Sequence, residues 1–225
     1  GSARRVWTTI REIMMLLCIG VGLAPAFKMR FWNIGGEGQV LVGGVAAAAC
    51  MIYLAPNMPL APVLLIMFVL SALAGAIWGL IPAVFKARWN TNETLFTLMM
   101  NYIALQITSF CVSKWENPYG SNTVGIINPT TNAGWFPSIF GQQYMLNVII
   151  VVLIAVAMYL YLKYSKQGFE IAVVGESMNT ARYAAINVKR VIIRTVMISG
   201  AICGIAGFIA VAGAGHTIST STAGG

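Results

Sequence analysis

Six stretches of about twenty apolar residues, separated by short polar breaks, lie between Thr8 and Val211. Each is long enough to cross a hydrocarbon core of roughly 30 Å as a helix. Inside such a core the backbone finds no water, so a spanning segment must satisfy its own amides and carbonyls, as a helix or within a closed barrel. A barrel would carry alternating ten-residue strand signals, and none is visible. The sequence therefore predicts an all-α, polytopic transmembrane helical bundle with crossings at 8–27, 39–54, 59–84, 94–113, 144–162 and 191–211. A mean hydropathy of +0.78 with only 9% charged residues agrees, because soluble domains carry roughly a quarter.

The charge of +8 comes from Lys and Arg scattered in small groups at span ends, which read as topology signals and not as a nucleic-acid footprint. If the polar loop 163–190 is cytosolic, ten basic residues lie inside: Lys28, Arg30, Lys86, Arg88, Lys163, Lys166, Arg182, Lys189, Arg190 and Arg194. Arg4, Arg5, Arg11 and Lys114 lie outside. The inverse topology reverses that ratio and is disfavoured. An outside N-terminus, a Gly1-Ser2 that reads as a cloning scar, and a Gly/Ser/Thr run at 212–225 predict a single transmembrane domain over 1–225. It is expected to be a fragment lacking one N-terminal span and several C-terminal ones.

Helix signals are local. Asn90-Thr-Asn-Glu93 resembles a capping box, with the Asn90 side chain accepting from the Glu93 amide at the head of the fourth span. Ser71, Gly75 and Gly79, and separately Gly200 and Gly204, repeat every four residues as close-packing faces. Cys18, Cys50, Cys111 and Cys203 sit in or beside apolar runs and read as packing thiols without disulfide or metal. His216, alone of its kind, is given no role.

Four segments carry chemistry. Asn33-Ile-Gly-Gly-Glu-Gly-Gln39 interrupts an apolar region and reads either as a broken or re-entrant helix near 31–39 or as a cytosolic turn. In the fourth span, Tyr102 and Gln106 share a helix face, while Asn101 and Gln106 lie about 140° apart. These groups either bond a polar solute or glue helices together. Asn33, Glu37, Gln39, Asn101, Tyr102 and Gln106 are the candidate substrate path. The segment 115–143, with its prolines and with Trp115, Tyr119, Trp135, Phe136 and Phe140, is a gate or landing surface, or else an interfacial aromatic belt beside a flexible linker. The loop 163–190 holds a small-residue helix that a membrane protein has little reason to keep unless another protein packs on it.

No nucleophile elbow, HExxH, CxxC or phosphate-binding loop occurs, so the chain is expected to be non-catalytic and to need no cofactor. Of six Glu and no Asp, only Glu37 is a candidate buried acid, which disfavours an ion-coupled carrier. An ATP-independent carrier or channel is the runner-up, and a membrane enzyme stands third.

The motifs Phe31-Trp-Asn-Ile-Gly-Gly-Glu-Gly-Gln39, Lys86-Ala-Arg with Asn92-Glu93, Leu98-Met-Met-Asn-Tyr-Ile-Ala104, Gly168-Phe-Glu, Val174-Gly-Glu, Ala181-Arg-Tyr-Ala-Ala-Ile-Asn-Val188 and Ile198-Ser-Gly-Ala-Ile-Cys-Gly-Ile-Ala-Gly207 occur in order along nearly the whole chain. In these the chain resembles the permease subunit of bacterial ABC importers for branched-chain amino acids, simple sugars and nucleosides, nearest the nucleoside type. The resemblance implies translocation of a nucleoside or similar small polar solute across the inner membrane. It also implies partners: cytosolic ATP-binding cassette ATPase subunits, a second permease subunit, an extracytoplasmic solute-binding lipoprotein and the membrane lipids.

The family docks the segment matching Gly175, Glu176, Asn179, Ala181, Arg182, Tyr183, Ala184, Ala185, Ile186 and Asn187 into the ATPase as a cytosolic coupling helix, near 177–187. Ser177 can cap that helix, and Met178, Ala181, Ala185 and Val188 fall on one face at helical spacing for burial against the partner. Relatives usually carry a basic residue in place of Ala172 and a glycine in place of Ala185. The latter change trades flexibility for helix propensity.

Overall fold

A computed structural model describes residues 2–139, 141, 142 and 144–223, with residues 2–4 described by backbone alone. Gly1, Phe140, Gln143, Gly224 and Gly225 lie outside the described residues, as does the side chain of Arg4. The elements are α1 (Ser2–Lys28), α2 (Gly36–Tyr53), α3 (Leu60–Trp89), α4 (Glu93–Lys114), α5 (Met145–Tyr164), α6 (Lys166–Glu176), α7 (Met178–Tyr183) and α8 (Val188–Phe208). The last continues as a π-helical turn over Ile209–Gly215. Six of these helices are long and apolar enough to cross a membrane, and they coincide with the six expected crossings to within a few residues.

The last span sits at the centre. α8 packs against α3, α2 and α1, and its membrane stretch is buried on nearly every side. That placement follows from its small residues. A Cβ on Gly75 would overlap the Gly200 carbonyl oxygen, and one on Gly204 would overlap that of Ser71. The two small-residue ridges read from the sequence therefore face each other, with backbone against backbone. A third contact, Gly207 against the Val40 carbonyl, brings α2 equally close. Leu16, Leu65, Ile77, Phe110 and Leu153 point outward from α1, α3, α4 and α5, as expected of faces that meet lipid or further protein.

Helical order stops at Lys28 and resumes at Gly36, so the interruption near 31–39 exists but covers 29–35, and Gly36 to Gln39 form the first turn of α2. The helices on either side are separate spans: α1 packs chiefly on α8 and α5, whereas α2 packs on α8, α3 and α4. The capping box is corrected as well. Asn92 is the cap of α4, its Oδ1 accepting from the Leu95 amide at 3.2 Å, while Asn90 closes α3 in the left-handed region at φ 52°. Glu93 instead meets Lys86 at 2.8 Å. A carboxylate in the first turn already suits the positive end of the helix dipole, and the nearby ammonium outcompetes a backbone amide for it.

The segment 115–139 is an ordered cap, which removes the flexible-linker reading. Asn128 donates to the carbonyls of Met51 (2.8 Å) and Ala133 (3.1 Å), and Trp135 Nε1 donates to Ile127 O at 2.9 Å. The amides of Ile127 and Phe136 donate to His216 O and Ala212 O. Two of its aromatics turn inward while Tyr119 stays exposed: Phe136 meets Phe208 edge-on, and Trp135 stacks on His216 with ring centroids 3.8 Å apart. Burial pushes the His216 imidazole below its usual pKa.

Candidate functional site

The end of the bundle that gathers Lys28, Lys86, Arg88, Lys163 and Arg194 also carries a helical hook made by α6 and α7. Ser165 starts it: its Oγ accepts from the Gly168 amide at 2.9 Å and donates to Tyr161 O at 2.6 Å, turning the chain sharply off α5. Gly168 is required there, because a Cβ would strike the Leu162 carbonyl. α6 then lays Ile171, Val174 and Gly175 against the end of α1, where a Cβ on Gly175 would overlap Lys28 O. Glu170 of α6 meets Arg194 of α8 at 3.0 Å, both partly buried, which ties the hook to the central helix.

Ser177 is extended and caps α7, its Oγ accepting from the Thr180 amide at 3.2 Å. The capping expected of Ser177 is thus present. The helix it opens is shorter than expected, and the four residues read as one partner-facing side divide, two buried inside the bundle and two exposed. Ala181 is fully buried in a cluster with Ala26, Met29, Phe31, Ala87 and Val188. Met178 and Ala185, assigned to the same face as Ala181 and Val188, are exposed. The helical spacing fails because α7 ends at Tyr183. Ile186 N–H bonds Ala181 O at 2.9 Å and Ala185 N–H bonds Arg182 O at 3.1 Å, with Ala185 at φ 57°. This is a Schellman stop with alanine at the position glycine usually holds.

What faces outward on the hook is Glu176, Asn179, Arg182, Tyr183 (92% exposed), Ala184, Ala185 and Asn187, with Ile186 half-buried. Beneath α7 lies a cleft of about 470 Å³ between the end of α3 and the start of α8, bordered by Lys86, Arg88, Arg182 and Lys189. Only Lys86 of these four has a carboxylate partner among the described residues.

The candidate substrate-path residues divide into two groups. Asn33, Gln39 and Asn101 come together, all buried. Asn33 Nδ2 donates to Gln39 Oε1 at 3.3 Å, and its Oδ1 accepts from the Gly35 amide at 3.1 Å. Asn101 accepts from the Gly38 amide at 2.8 Å and donates to Ile34 O at 3.0 Å, so one end of this amide holds the first turn of α2 and the other the non-helical segment against α4. Glu37 is half-buried in the first turn of α2. Tyr102 and Gln106 are exposed on a different face of α4 and do not join the cluster.

Residues 6–224 match the model of the branched-chain amino acid transport system / permease component family. The chain belongs to this family. It is 35% identical over 213 residues to the guanosine ABC transporter permease protein NupP of Bacillus subtilis, covering 92% of this chain and 60% of that one. It is 26% identical over 217 residues to the nucleoside ABC transporter permease protein NupB of Lactococcus lactis, covering 93% and 59%. With the glucose ABC transporter permease protein TsgB13 of Haloferax volcanii it shares 25% over 215 residues, covering 91% and 56%. The chain thus spans about three-fifths of the length of these relatives. No solved structure matches it. Family membership and six apolar spans make it a multi-pass protein of the bacterial inner membrane.

Sequence reasoning missed three features of this chain. Thr97, which accepts from the Ile34 amide at 3.2 Å, completes the clamp on the interrupted segment, and nothing marks it out in an apolar run. The Glu170–Arg194 tie was legible only as two charges near the membrane surface. Asn147, fully buried near the start of α5, donates to Gly213 O at 3.1 Å. A lone amide in an otherwise apolar run from Met145 to Leu162 was the signal that could have found it.

Proposed function

We propose that this chain forms the non-catalytic transmembrane core of an ABC importer permease for a nucleoside or similar small polar solute, worked by separate cytosolic ATPase subunits that grip the α6–α7 hook. The observation that carries this reading is the hook itself. Its inner face is rooted in α1, α3 and α8 through Ala181, Val174 and the Glu170–Arg194 pair, while its outer face leaves Tyr183 and Arg182 bare. A helix so anchored transmits a push to the central span, because packed helices shift as rigid bodies. The unpaired Arg88, Arg182 and Lys189 around the neighbouring cleft suit an acidic partner surface.

Solute class follows from the names of the relatives, two of which specify nucleoside or guanosine. A second permease subunit and an extracytoplasmic solute-binding lipoprotein complete the assembly. In this reading the Asn33, Gln39 and Asn101 cluster holds the head of α2 beside the solute path, with Glu37 at its edge. Tyr102 and Gln106 face a neighbouring segment or subunit.

The test is the double variant Arg182→Glu, Tyr183→Asp in the full-length protein co-expressed with its ATPase. Loss of ATPase co-purification with normal membrane insertion is expected, and unchanged co-purification would refute docking on the hook.

A further inference from the structure

We infer that the pocket in the outer half of the bundle, between α1, α5 and the π-helical turn, is a subsite for the sugar ring of the solute; this rests on the import reading above. The π turn and the residues after it, which end in left-handed His216 and a Ser/Thr loop, bring Thr217, Ser219 and Thr222 around a cavity of about 230 Å³ that Asn147 also lines. Single π turns inside helices recur at functional sites. Asn147 is fully buried. Its Nδ2 is spent on Gly213 O, and its Oδ1 has no hydrogen-bond partner in the protein. That oxygen is packed against the Gly213 backbone and out of reach of the cavity, so Asn147 fixes the π turn that carries the hydroxyls.

Size, charge and surface chemistry select the ligand class. The cavity is smaller than the roughly 300–1,000 Å³ of pockets that engulf drug-sized molecules. It has room for a pentose-sized polyol. The two charges at its rim, Arg11 and Glu12, bond to each other, so the pocket offers no uncompensated cation for a phosphate. That favours an uncharged solute over a nucleotide. Ser219 Oγ lies 3.0 Å from Ser221 Oγ, and the Ser219 amide donates to Thr222 Oγ1 at 2.9 Å, so the hydroxyls are held in one turn. Hydroxyls of this kind both donate and accept, as a polyol requires. Met15 and Ile209 supply an apolar wall for the C–H face of the ring. Gly215 and Ser221 are exposed beside it, so the pocket is reached from the outer side.

The experiment places Thr217→Cys, and separately Ser219→Cys, in the full-length permease with its partner subunits, in cells whose reactive native cysteines have been removed. The rate of modification by a membrane-impermeant thiol reagent is followed with and without guanosine, and with free ribose as the minimal probe. Both compounds should slow modification at both positions at least fivefold, with no effect on Ser138→Cys in the outer cap. Unchanged rates in cells that accumulate labelled guanosine would overturn the subsite while leaving import standing. Protection by guanosine with none by ribose would overturn the assignment to the sugar ring. Cells that accumulate no guanosine would remove the import reading, and the subsite with it.

Discussion

Ala185 occupies a position that the backbone makes expensive for it. The Schellman stop after α7 needs a left-handed residue, and Ala185 takes it at φ 57°. For an L-residue that conformation costs roughly 1–2 kcal/mol, from contact between Cβ and the following carbonyl. Glycine removes that cost but loses about 0.4–1 kcal/mol through its freer unfolded chain. The difference predicts that Ala185→Gly stabilises the end of the hook by about 0.8 kcal/mol, roughly a fourfold change in an opening equilibrium. The amides that report it are those of Ala185 and Ile186, bonded to Arg182 O and Ala181 O. Hydrogen exchange on the full-length protein in lipid nanodiscs, corrected for intrinsic rates, should show both slowing about fourfold. Ala185→Val, whose branched side chain tolerates this region least, should speed both. Equal exchange in all three proteins would mean that position 185 is not left-handed and that the stop after α7 is misdescribed.

Two further outcomes follow from the buried polar groups. Asn101→Leu strands the Gly38 amide and the Ile34 carbonyl inside the bundle, and at about 1–3 kcal/mol for each unmet group it should lower the thermal unfolding midpoint in detergent, with loss of about 2–6 kcal/mol. An unaltered midpoint would remove the clamp role. The His216 pKa is depressed by burial, so the unfolded state binds the proton more readily and stability falls as pH drops below the ordinary value near 6.5. Trp135 fluorescence should report loosening of the stack over that acid range, and His216→Asn, which also tolerates left-handed backbone, should abolish the pH dependence.

The six spans were legible because length and hydropathy alone decide what crosses a bilayer, and the α3–α8 contact because Ser71, Gly75, Gly79, Gly200 and Gly204 repeat at the helical period. Wherever a boundary depended on competition, the sequence was a weaker guide. Asn90 and Asn92 are equally good caps on paper, and the Lys86–Glu93 pair decided between them. The face assigned to Met178, Ala181, Ala185 and Val188 assumed a helix that runs on, whereas the chain stops at Tyr183 and turns through a left-handed alanine. The hook was expected in the right place, but α6 was read as loop, since its helix depends on burial of Ile171 and Val174 against α1. Order in the cap over 115–139 rests on the carbonyls of Met51, Ala212 and His216, all distant in sequence, and no local pattern announces such bonds. Asn101 offered two uses on paper, and its two backbone partners, one in the first turn of α2 and one before it, lie too far away in sequence for either bond to be read locally.

The most direct test of the account places a single cysteine at Arg182 in the full-length chain and asks which side of the membrane reaches it. An impermeant maleimide should leave Arg182→Cys unlabelled in intact cells, label it in inverted vesicles stripped of the ATPase, and lose that access when the ATPase is added back. Labelling from outside intact cells, or equal labelling with and without bound ATPase, would contradict a cytosolic hook gripped by a separate motor.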